Sequence, residues 1–434
     1  LLAYANTFSA PFIFDDIPAI EQNTSIRDLR HPSELLMPPA LRGSGAAGRP
    51  MVNLSLAFNH VLGGERVWGY HAFNLGVHLA ATLALFGVVR RTLRLRAERR
   101  RSPHGGGGVV ENAADDDARS EALAFFIALL WLLHPLQTES VTCIIQRTES
   151  LAGFFYLFTF YAFLRSVESA RPRAWTIVTA AACLLGAATK ELMATAPVLL
   201  FLFDRTFVAG TFRAAWRRRG LRHLTLALAT WTVVAALVWR SETRGGTVGF
   251  GHGVTAWEYL LTQGRALGIY LKLALWPHPL VLDYGSEIVR APLSVLPQGL
   301  LILGGLGLTA WALWRKPAAG FLGAWCFAIL APSSSFVPLV TQTIAEHRMY
   351  LPLAAASVGI VLSLAAIAPC RWPAAGLLLA LGLGGLTVAR NADYRSVESI
   401  WRDTVAKWPS NPRAHYTLAQ LADQAGRADE AIAH

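Results

Sequence analysis

Long apolar runs recur along the chain, parted by short polar or basic stretches. Runs of this length predict membrane-spanning helices at about 69–89, 121–135, 150–165, 174–189, 192–208, 222–239, 296–314, 318–337, 350–368 and 373–389. The pattern is that of an all-α polytopic bundle with about ten spans. Two stretches stand apart from it. Met51–His60 is amphipathic and too polar to span. Trp257–Trp276 is apolar enough but carries Glu258, Arg265 and Lys272, so it reads as an interfacial or re-entrant helix. The opening Leu1–Ala5 reads as the end of an apolar segment begun upstream, and the sequence as part of a longer protein.

After Arg390 the period changes to that of short amphipathic helices. Asn411–Ala419 followed by Gly426–Ile432 matches a tetratricopeptide repeat, with small residues at the helix crossing and Gly426 at the turn. Ser396–Trp408 reads as the second helix of an earlier, degenerate unit. One such unit cannot bury its own apolar face, so further repeats are expected beyond His434. The expected organisation is a membrane domain over 1–390 and the start of an α-solenoid over 391–434. Within the membrane domain, 12–68 is a first outer loop, 90–120 a basic, flexible cytoplasmic loop, and 241–294 a long outer loop.

Composition sharpens this picture. The chain is 53% hydrophobic and 15% charged, against roughly a quarter charged in soluble domains. Its 39 Lys+Arg against 28 Asp+Glu leave a formal charge of +11. The basic residues gather at Arg90–Arg101, Arg165–Arg173 and Arg205–Arg222, between apolar runs, which is the positive-inside pattern and not a nucleic-acid surface. That rule places these loops on the cytoplasmic side. It sends Asp15, Asp16 and the repeat segment to the outer side, periplasmic in a bacterium and lumenal in a eukaryote. Cys143, Cys183, Cys326 and Cys370 show no metal spacing and suggest no disulfide framework.

The outer side also collects the chemistry. Asp15-Asp16 follows an apolar segment, where a carboxylate pair is costly unless it pairs, faces water or reacts. The same side receives His134, Gln137 and Glu139, then Arg147 and Glu149, Lys190-Glu191, and Glu346-His347-Arg348. Each group has a plainer reading. An acidic pair can be a turn or a helix N-cap, His134-Pro135 can merely end a span, and Lys190-Glu191 can be an interfacial ion pair. Their common side is what suggests a site. A transporter or flippase would instead need mid-span ionisable groups and repeated halves, and a membrane-anchored repeat scaffold would need only one or two spans.

Phe14-Asp15-Asp16, Gly48-Arg49-Pro50, His134–Ser140, Ala188–Glu191, Ile344–Pro352 and the trailing repeat, in this order, resemble the transmembrane-and-TPR O-mannosyltransferases and their bacterial relatives. That family belongs to the GT-C superfamily of lipid-linked glycosyltransferases. The resemblance implies an integral membrane enzyme, in the inner membrane of a bacterium or the endoplasmic reticulum of a eukaryote. It implies a polyprenyl-phosphate sugar donor, typically mannose, and a Ser or Thr hydroxyl of an acceptor protein that the repeats would recruit. Asp15 or Asp16 would then act as the base of an inverting transfer. Arg147, Lys190 and Arg348, with His347, would stabilise the lipid-phosphate leaving group, and Arg49, His134, Gln137, Glu139, Glu149, Glu191 and Glu346 would complete the substrate-binding face. A divalent metal is left unassigned.

Overall fold

The computed structural model describes residues 1–37, 45–101, 113–240, 253–334, 338–339 and 342–434, and it is helical throughout. Prolines open many of the helices, where the missing N–H costs nothing and the fixed φ already suits a first turn. Pro50 starts α2 (Pro50–Gly63), which follows the short α1 (Pro32–Leu36). The long α3 (Val67–Arg101) and α4 (Ala113–Leu133) come next. A kinked segment carries the short α5 (Thr138–Thr142) into α6 (Arg147–Glu168). Then come α7 (Pro172–Ala187), α8 (Ala196–Phe203), a wide π-type turn at Asp204–Ala209, and α9 (Phe212–Arg240). After α10 (Ala256–Leu275) the bundle continues with α11 (Leu296–Arg315), α12 (Pro317–Leu330), α13 (Pro352–Ile367) and α14 (Trp372–Asp393). Three amphipathic helices close the chain: α15 (Val397–Lys407), α16 (Pro412–Gln424) and α17 (Ala428–Ala433).

The expected ten spans are fewer. Among the described residues six helices are long and apolar enough to cross a bilayer, or seven if Ala114–Leu133 and Pro135–Thr142, bent by 56°, count as one broken span. The reason is helix length. α7 and α13 have 16 residues and α12 has 14, which at 1.5 Å per residue gives about 21–24 Å against a hydrocarbon core of about 30 Å. α10 is not among the six, and its capping box joins Thr255 to Glu258.

The 90–120 loop is also corrected. Basic residues to Arg101 remain helical in α3, and Asp115–Asp117 lie in the first turns of α4, where carboxylates favour the helix dipole. Arg90 pairs with Glu121, and Arg94 pairs with Asp117. The remainder of that loop, 102–112, and the start of the 241–294 loop, 241–252, lie outside the described residues.

Two apolar cores position the site. One fills the bundle around Trp131, Tyr156, Phe160, Phe321, Trp325 and Tyr350. The other joins the first loop to the C-terminal helices through Phe12, Ile13, Ile20, Ile145, Leu282 and Trp401. The described residues of 12–68 are therefore packed between the bundle and the closing helices. By contrast α11 leaves Leu300, Leu303 and Leu308 exposed, as suits a lipid-facing helix.

Candidate active site

The two adjacent aspartates have different environments. Asp16 is fully buried, and its carboxylate turns back onto backbone amides. Oδ2 accepts from the Ile13 amide at 3.1 Å and the Ile144 amide at 3.4 Å, while Oδ1 accepts from the Ile145 amide at 2.6 Å. The Cys143 thiol also approaches Oδ1, at 3.8 Å. Asp16 thus ties the first loop to the turn between α5 and α6. Burial lifts its carboxyl to about 6 and the three amide donors oppose the rise.

Phe14, just before the pair, has φ of 50°, the only positive φ on a non-glycine residue among those described. An aromatic residue in the left-handed region costs roughly 1–3 kcal/mol and persists only where packing over-determines it. Here the Phe14 ring meets Trp401 of α15 edge-on at 5.6 Å, and the Arg413 guanidinium of α16 lies 5.2 Å from its centroid.

Asp15 is half-buried, and its carboxylate accepts no hydrogen bond from any described residue. It faces an acidic neighbourhood. Burial raises its carboxyl to about 7; the Arg413 guanidinium opposes the rise, and the Asp16, Asp283 and Glu139 carboxylates add to it. Asp15 is therefore a carboxyl poised to titrate near neutrality, as a general base requires.

Asp283 is fully buried and meets the C-terminal helices. Its Oδ2 pairs with Arg413 at 3.1 Å and accepts from Asn411 Nδ2 at 3.2 Å, while its main-chain carbonyl accepts from the same Nδ2 at 2.7 Å. Asn411 also caps α16 through the amides of Arg413 and Ala414. The closing helices thus complete the acidic centre. Sequence reasoning placed Asp283 in the outer loop and read Asn411 and Arg413 only as repeat positions. Nothing local marks them, because their partners lie 128 and 130 residues away.

A second group lies beside the first. Glu139 of α5 accepts from the His347 amide at 2.9 Å and bonds the His347 ring Nδ1 at 2.7 Å. The other ring nitrogen lies 3.8 Å from Glu149, which pairs with Lys190. Arg49 sits 3.6 Å from Glu191. Arg348 donates to the carbonyls of Gln342 at 2.6 Å and Thr343 at 3.0 Å. Burial holds His347 neutral, near 3, and lowers Lys190 against the pull of Glu149. Glu346 turns the other way, accepting from Val281 and the Tyr284 hydroxyl at 2.7 Å each, and burial raises it to about 7. Glu149, Lys190, Glu191 and Arg348 line one narrow recess with room for about 10 Å³.

Three expected site residues are not brought to this cluster. Arg147 is fully buried, donates to Asn59 at 2.7 Å and to the Tyr70 carbonyl at 3.3 Å, and stacks on Phe73. It joins α2, α3 and α6. His134 accepts from the Leu136 amide at 3.2 Å and meets the Ala274 carbonyl at 3.3 Å, so it shapes the kink after α4. Gln137 donates to the Trp131 carbonyl at 3.3 Å in the same kink. Among the described residues no three His, Cys, Asp or Glu side chains are grouped to hold a metal ion.

The chain is similar to known proteins over much of its length. It is 30% identical to protein O-mannosyl-transferase Tmtc3 of Drosophila melanogaster over 42% of the chain and 20% of that protein. Against Drosophila Tmtc1 the identity is 24% over 99% of the chain and 59% of that protein. Human TMTC4 gives 23% over 98% of the chain and 63% of that protein. The chain thus spans less than two thirds of the length of these curated relatives. No family model and no solved structure matches it.

Proposed function

We propose that this chain, homologous to the TMTC protein O-mannosyl-transferases, forms the membrane part of a glycosyltransferase that moves a sugar onto a protein hydroxyl. The donor in this reading is a polyprenyl-phosphate sugar, and mannose is suggested by the relatives' names. One observation carries the assignment of the reacting group. Of two adjacent aspartates, Asp16 is saturated with backbone donors and Asp15 is open, unbonded and raised to about 7.

Asp15 would take the proton of a Ser or Thr hydroxyl as that oxygen attacks the anomeric carbon. A single displacement from a β-linked donor inverts the centre to an α-glycoside. The leaving lipid phosphate is already anionic, so it needs cations and not an acid. Lys190 and Arg348 line the narrow recess, Arg49 lines an adjoining one that shares Lys190 and Glu191, and these three are the candidates. Their carboxylate partners Glu149 and Glu191 would exchange with the phosphate. Glu139 would fix the orientation of the neutral His347 ring beside them. The outer face of the membrane is the expected location, by the positive-inside reading. The α15–α17 helices, packed on the acidic loop, would bring the acceptor to Asp15.

The test is sugar transfer by the full-length protein in membranes, supplied with lipid-linked mannose and identified by what becomes labelled. Label on Ser or Thr of protein supports the reading. Transport of solute without consumption of lipid-linked sugar refutes it.

A further inference from the structure

One sizeable cavity lies far from the acidic centre. It measures about 610 Å³, within the ~300–1,000 Å³ range of ligand sites, and opens between α3, α6, α12, α13 and the wide turn at 204–209. Its walls are apolar, with Phe203, Phe321, Trp325 and Val358 among them. Its polar lining is unlike the rest. Arg96 and Lys316 stand at the rim, and the Thr206 hydroxyl is buried in the wall with no hydrogen-bond partner among the described residues. The turn that presents Thr206 is held in place because Arg99 donates to the Val208 carbonyl.

Both cations sit at the end of the bundle away from the candidate active site. Arg96 is 26 positions along α3 from Tyr70, which packs against the first loop, a distance of about 39 Å along the helix. Lys316 precedes α12, whose opposite end leads to Ser333 beside Arg348. A groove with apolar walls and two cations at its polar end fits an amphiphile with acyl chains and an anionic head group. Basic pockets between membrane helices bind such lipids. The distance separates it from the sugar-transfer centre.

We infer that this groove binds an anionic glycerophospholipid, its chains along Phe203, Phe321 and Trp325 and its phosphate between Arg96 and Lys316, with the Thr206 hydroxyl donating to the head group. The inference does not depend on the sugar-transfer reading.

The experiment is native mass spectrometry of the delipidated full-length protein, offered an equimolar mixture of phosphatidylglycerol, phosphatidylcholine and polyprenyl phosphate. The wild type is expected to retain phosphatidylglycerol at least tenfold over phosphatidylcholine and to melt higher in its presence. R96Q/K316Q should lose that preference, R96K/K316R should keep it, and V358W should lower binding of every lipid. The conservative double variant shows that the fold survives changes at these positions. Equal retention of the two phospholipids by the wild type, or an unchanged preference in R96Q/K316Q, overturns the inference. So does displacement of phosphatidylglycerol by polyprenyl phosphate, which would make the groove a path for the donor's chain.

Discussion

Exchanging each aspartate for asparagine separates the two roles. Asp15→Asn removes the only carboxylate of the pair that is free to accept a proton. General-base catalysis contributes typically 10²–10⁴-fold, so transfer should fall at least about 100-fold. The amide carries no charge, and the fold disfavours a charge at this position, so D15N should melt no lower than the wild type. Asp16→Asn does the opposite. One of its oxygens becomes an NH₂ facing either Ile145 or the Ile13 and Ile144 amides. Each buried donor left unpaired costs about 1–3 kcal/mol, so D16N should lower the melting temperature whatever it does to activity. The pH profile supplies a third readout. Asp15 is raised to about 7, so it is protonated and inactive below that value and active above it. The base fraction rises from about 9% at pH 6 to about 91% at pH 8, and kcat/KM should climb about tenfold across that interval. The assay is transfer from lipid-linked sugar by purified protein, with melting followed in the same detergent. Activity of D15N within threefold of the wild type, or a flat wild-type profile between pH 6 and 8, would refute the assignment.

Further consequences are open to measurement. Arg413→Ala removes the cation that pulls Asp15 down, so the acid limb of the pH profile should move to higher pH, with Arg413→Lys staying near the wild type; an unmoved limb in R413A disproves the coupling. Lys190→Met leaves Glu149, 4% exposed, without its cation and should cost about 3–5 kcal/mol, much of it recovered in K190M/E149M; equal melting of single and double variants counts against this. Gly320→Ala would place a Cβ 2.6 Å from the Ala312 carbonyl carbon and closer still to the Leu313 nitrogen, and because backbone cannot move aside it should destabilise by about 1–3 kcal/mol. A melting temperature equal to the wild type's would show that α11 and α12 separate more easily than their packing implies.

Much of the helix layout is legible in the sequence. Apolar runs, helix-opening prolines and the Asn411 and Gly426 signals mark elements close to where they stand, because each depends on neighbours within a turn or two. Span count is less legible, since an apolar run of bilayer length can be cut into a shorter helix and a polar turn. The 318–337 run ends as a helix at Leu330, and the 121–135 run breaks at His134-Pro135. The polar cluster is legible only as a set of candidates. Glu139, Glu149, Lys190, Glu191, His347 and Arg348 do converge. Arg147 reads on paper like the other cations, yet it serves the interior.

What the sequence by itself determined is the helical, membrane-compatible character of the chain and the inventory of polar groups near helix ends. Hydrophobic run length and turn chemistry act over a few residues and can be read in one dimension. Only the tertiary structure decided which aspartate is free. That depends on the amides of Ile144 and Ile145, 128 and 129 residues distant, claiming Asp16. It also depends on Arg413 arriving from a later helix to meet Asp283 and shade Asp15. Protonation of a buried carboxyl is set by every charge and donor that folding brings near it, and no local pattern encodes that sum.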